Sequence, residues 1–243
     1  MNDFYEEKNL DSNAFKSGFY ISVSTVIITL ITFGIAIFTP PLSGPFCAGN
    51  CFQYPYSEIA GRFPRDYYWM YPAMLMLFSY LVLMMHVHHT VPYIKKLYST
   101  IGVAFAVMAT LILSADYFIQ VSVIQPSILA GETEGIALLT QFNPHGIFIV
   151  LEEFGFLLMS ISFFALFPVF GGRTKLEKAI KLTVIAGFAL AVIAFVLISI
   201  KHGIHREYRF EIAIITITWI ETIVLGILLA RYFKNQFKQI KNL

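Results

Sequence analysis

QFNPHGIFIVLEEFGFLLMSISFFALFPVF, residues 141–170, decides the class of fold. Asn143 reads as an N-cap, able to accept a backbone N–H of a new helix. Pro144 suits the first helical position, where no N–H is needed. The apolar run that follows has the length of a membrane span and stops at Pro168 and the Gly171-Gly172 pair. Two adjacent carboxylates, Glu152 and Glu153, interrupt it. A charged side chain at the centre of a bilayer costs ~2.5–3.5 kcal/mol on insertion scales, so these acids should face a protein interior.

The rest of the chain agrees with a membrane setting. Of its 243 residues 57% are hydrophobic and only 13% charged, and the mean hydropathy is +0.70. Soluble domains carry about a quarter charged residues, so the expected class is an all-α, polytopic integral membrane bundle. A net charge of +2 is too small to argue for nucleic acid, so none is expected as a partner. Met1 to Lys16 is polar and net acidic, which reads as an N-terminal segment (residues 1–16) and not as a cleavable signal.

Six transmembrane helices are predicted, near Ser17–Thr39, Trp69–Thr90, Tyr98–Ile124, Asn143–Phe170, Ile180–Ile200 and Ile212–Ala230. Together they form a transmembrane domain over 17–230, followed by a basic tail, 231–243. Lysine and arginine separate by side. Lys8, Lys16, Lys95, Lys96, Arg173, Lys175, Lys178, Lys181, Arg231, Lys234, Lys238 and Lys241 fall on one, and Arg62, Arg65, Lys201, Arg206 and Arg209 on the other. The richer side is expected to be cytoplasmic, with both termini, in a plasma or inner membrane. The tail, with aromatic residues between its lysines, should lie along the inner headgroups.

Two extracytoplasmic loops follow from that orientation, a cap at 40–68 and a second loop at 125–142. The cap is rich in turn residues and aromatics and should rest on the bundle. Its Cys47 and Cys51 would face an oxidising compartment, where a disulfide is the simplest reading. Ser22, Thr25, Thr29 and Thr32 form a stripe at helical spacing, suited to close helix packing. His86, His88 and His89 end the second span, opposite in depth to His145, His202 and His205, which argues against a shared haem.

Four acids lie within predicted spans: Asp116, Glu152, Glu153 and Glu221. At a rise of 1.5 Å per residue, the first three lie roughly 12 Å from the external end of their spans and Glu221 roughly 14 Å. An outward-opening acidic chamber is therefore expected, with Gln120 one turn beyond Asp116. His145 is in seven-residue register with Glu152, which favours Glu152 over Glu153 as the residue reaching the centre. No basic residue is expected at that depth, and crowded carboxyls in low dielectric cannot all ionise.

Three functions fit these residues. One is proton- or cation-linked transport using Asp116, Glu152 and Glu221, in a bundle small enough to call for a homo-oligomer. The second is an intramembrane enzyme acting on a lipid-like substrate, with zinc held by His145, Glu152, Asp116 and His202 or His205, and with Glu153 or Glu221 as base. The spacing carries no HExxH or other diagnostic motif. The third is a binding protein holding a small molecule or lipid beneath the cap, where a methionine-rich second span (Met70, Met74, Met76, Met84, Met85) would adapt to the ligand. Transport or binding ranks above catalysis because catalytic motifs are missing.

Overall fold

The computed structural model is described over residues 2–241, with side chains for 12–206 and 208–241. The described residues form helices and turns, without a strand. Six helices are long and apolar enough to cross a membrane. They are α1 (Asn2–Ile37), α2 (Met70–Thr90), α3 (Lys96–Ile119), α4 (Ile147–Phe164), α5 (Lys175–His202) and α6 (Glu207–Lys241).

Local chemistry sets most of the ends. Pro92 puts Val91 in an extended conformation and closes α2. The helical path of α3 continues through a π turn at Gln120–Ile124 and a short helix, Gln125–Ala130, until Gly131 at φ 78° stops it. A reciprocal capping box, Thr174 with Glu177, starts α5 before the expected Ile180.

One expected helix start is corrected. Asn143 does not cap α4: its Oδ1 accepts the His145 N–H at 3.0 Å in a turn of its own. Gly146 occupies the cap position instead, so α4 begins at Ile147 and spans 18 residues, about 27 Å. The tail beyond Ala230 continues in helical phase, as its pattern suggests, and α6 runs unbroken to Lys241. Phe233 is fully buried beside Phe15 and above Gly18, so this part of the tail extends the packing of α6 on α1. The tail's remaining lysines follow that same helix.

Five helices close a ring in the order α1, α2, α3, α4, α6, and α5 lies outside it against α4 and α6. Small residues permit the close approaches. A side chain at Gly155 of α4 would collide with Leu113 of α3, its Cβ 2.5 Å from Leu113 Cγ. The Ser/Thr stripe of α1 is buried, its hydroxyls donating to carbonyls one turn back, and Thr25 shares a 2.6 Å hydrogen bond with Ser79 of α2. The described start of α1 and the described end of α6 lie at one end of the bundle, the terminal end, where Phe15 meets Phe233, and residues 40–68 cover the other, the cap end.

The cap is tied down by charge and aromatic contact. Buried Asp66 accepts from Arg62 at 2.7 Å and Arg65 at 2.9 Å, and Arg65 also reaches the Phe38 carbonyl. Phe52 and Tyr67 pack against Phe142, which joins the cap to the segment preceding α4. Cys47 and Cys51 form a disulfide.

An acidic cluster at the wall of an aromatic cavity

Beneath the cap, α1, α4 and α6, with Trp69 at the residue before α2, line a cavity of about 370 Å³. Phe33, Phe142, Phe148, Trp69 and Trp219 supply aromatic walls, and Glu152 and Glu211 are its acidic lining residues. The two tryptophans of the chain both line it. Their positions are fixed by edge contacts: Trp219 packs on Phe33 at 5.5 Å and Phe156 at 6.2 Å, and Trp69 on Tyr117 at 5.1 Å.

Glu152 is 1% exposed and its Oε1 accepts a 2.7 Å hydrogen bond from the Tyr117 hydroxyl of α3. The Glu211 carboxyl of α6 lies within hydrogen-bonding reach of the Glu152 carboxyl. Oε2 of each is buried and has no donor among the described residues. Two carboxylates have no hydrogen to offer each other, so a direct hydrogen bond between this pair forms only when one of them carries a proton. Asp116, one residue before Tyr117, sits close enough to Glu152 to feel its charge. Its Oδ2 is likewise buried without a partner among the described residues.

Glu153 points elsewhere. It accepts from Arg206 at 2.8 Å, and that guanidinium is also stacked 4.8 Å over Phe195 and 5.9 Å over Phe210. The expectation that no basic residue reaches these acids is therefore corrected: the turn between α5 and α6 folds Arg206 back onto α4. Glu221 is not part of the cluster either. It lies ten residues beyond Glu211 on α6, about 15 Å deeper, and packs against Gly187 of α5. Both its carboxyl oxygens are buried without a hydrogen-bond partner among the described residues.

The other predicted residues occupy distinct places. Gln120 is an anchor: its amide donates to the Leu139 carbonyl at 2.6 Å and its Oε1 accepts the Gln141 N–H at 3.1 Å. That pair holds the stretch leading into α4 against the π turn of α3. His145 is exposed at the cap end, its ring 6.0 Å from that of His205. His202 is on the last turn of α5. Among the described residues no three His, Cys, Asp or Glu side chains converge in a way that could hold a metal ion. No methionine lines the cavity; Met70, Met76 and Met84 are core, and Met85 is 53% exposed.

Glu211 and Tyr117 were not anticipated as site residues. A signal for Glu211 was present, because Glu211, Thr218 and Leu225 repeat every seven residues and all three are buried on one face of α6. Comparison with known protein families, with curated proteins and with solved structures gives no match for this chain.

Proposed function

We propose that this is a multi-pass protein of the cell membrane that binds a small organic cation at the Glu152–Glu211 pair in exchange for a proton, the binding step of a proton-linked carrier. The reading is carried by one observation: two carboxyls in mutual reach at the wall of a largely apolar cavity whose deep end is aromatic. Aromatic faces attract cations, most strongly when water is excluded, and carboxylates supply the opposite charge. A pair sharing one proton carries a single negative charge. An arriving cation favours the doubly charged pair, so the shared proton leaves to water as the ligand binds. Tyr117 holds Glu152 in place through this exchange, and Asp116 adds a further acid nearby.

The asymmetry of lysine and arginine supports an orientation with the cap end outside and both termini in the cytoplasm. The Cys47–Cys51 disulfide favours the same assignment, since such bonds persist in oxidising compartments.

Calorimetry with benzyltrimethylammonium tests the exchange, because this cation has no ionisable proton of its own. Measured in buffers of different ionisation enthalpy, binding should release about one proton per ligand, the one held between the carboxyls. Binding should also tighten as pH rises, because protons compete for the site. Binding without proton release, or binding insensitive to pH, would count against the proposal.

A further inference from the structure

The cavity is closed towards the bundle axis and open at its side. Its deep end is lined by Glu152, Phe148 and Trp219, at 1%, 2% and 1% exposure. At the other end Ile37 of α1 is 64% exposed and Ile212 of α6 is 39% exposed, with Pro41 beside them. The mouth is thus the gap between the last turn of α1 and the first turns of α6.

The surface around this mouth has the character of a lipid-facing helix. Ile220, one turn beyond Thr216 on α6, continues it at 48% exposure. Among the described lining residues, Glu152 and Glu211 are the charged ones, and both lie inward. Ile212 and Thr216 stand about 8 and 14 Å along α6 from its first residue, a depth that corresponds to the acyl-chain region next to the headgroups. The most exposed side chains of this mouth are isoleucine and proline, which suit acyl chains; Thr39 and Thr216 beside them are half-buried, and the Thr216 hydroxyl donates to the Ile212 carbonyl at 2.7 Å.

We infer that the ligand is a single-tailed amphiphile with a cationic head, which reaches the cavity sideways from the membrane through the gap between α1 and α6. Its head meets the Glu152–Glu211 pair and its alkyl tail lies between Ile37 and Ile212, continuous with the surrounding lipid. This inference deepens the proposed cation binding and rests on it for the identity of the head. The aromatic walls fit the first carbons of the tail as well as the head, and the cavity volume is sufficient for the head and the start of a chain.

Tryptophan emission tests the route, because both tryptophans line the cavity and Trp219 is buried everywhere else. The protein and its Trp69→Phe variant are placed in bilayers of phosphatidylcholine brominated near the head-group end of the acyl chain. Emission should fall relative to unbrominated bilayers, and dodecyltrimethylammonium should restore it by filling the cavity. Aqueous iodide should have little effect on Trp219. Strong iodide quenching with none from brominated lipid would overturn the lateral route, and benzyltrimethylammonium could still displace a proton, leaving the cation site intact. Lipid quenching relieved by dodecyltrimethylammonium, but also relieved equally by uncharged dodecanol, would overturn the cationic head. Failure of proton release with benzyltrimethylammonium, alongside lipid quenching, would overturn the exchange and leave the sideways opening standing.

Discussion

Glu211→Gln should weaken binding of benzyltrimethylammonium by about 10- to 100-fold and remove the proton release that accompanies it. Hydrogen bonds and contacts to a charged group contribute about 1.5–3 kcal/mol, and each 1.4 kcal/mol is a factor of ten. The glutamine amide can donate to Glu152 permanently, in the place of the shared proton, so the fold should be kept. What disappears is the second negative charge that the bound state requires. Glu152→Gln should have the same effect on binding, and the two changes together should cost little more than either alone, because the pair acts as a unit. Asp116→Asn should have a smaller effect, since Asp116 does not line the cavity. Calorimetric titration of the four purified variants checks these effects, with thermal unfolding in the same detergent to confirm that each remains folded.

Arg206→Ala should lower stability by about 2 kcal/mol. Removing one partner of a fully buried ion pair costs about 3–5 kcal/mol, and the smaller figure reflects the 30% exposure that Arg206 retains. Two losses combine: the 2.8 Å ion pair to Glu153 and the stacking of the guanidinium over Phe195 and Phe210. These contacts fasten the α5–α6 turn to α4, and that turn sets the start of α6, four residues before Glu211. Adding Glu153→Gln to the Arg206→Ala chain should recover a substantial part of the loss, because a neutral amide at this position no longer requires a cation. Thermal unfolding of the single and double variants measures the recovery. A double variant no more stable than Arg206→Ala alone would show that stacking, and not charge, dominates at Arg206.

The number of helices and the presence of acids in the interior were legible in the sequence, because both follow from hydrophobic length and from the cost of a charge in hydrocarbon. The meeting of particular acids was not. Which helices are neighbours is a property of packing, and hydropathy is silent on the ring order that places α4 between α3 and α6. Depth was misjudged for a related reason. A count of residues from a predicted helix end carries any error in that end directly into the level, and starting the sixth span at Ile212 left Glu211 outside while raising Glu221 into a chamber it does not share. Arg206 shows the same limit from the other side: near a helix end, a basic residue bound for solvent and one that folds back onto a buried carboxylate look alike in sequence. The Asn143-Pro144 pair was a sound helix-start signature, but the asparagine side chain is engaged by the His145 N–H, and Gly146 takes its place.

One measurement addresses the shared proton itself: the infrared carbonyl stretch of protonated carboxylic acids, followed near neutral pH before and after saturation with benzyltrimethylammonium. A proton held between Glu152 and Glu211 predicts a carboxylic band that ligand removes, and that is absent from both Glu152→Gln and Glu211→Gln. A ligand-sensitive band that survives in either variant would contradict the pairing of these two residues, and with it the exchange on which the proposed function stands.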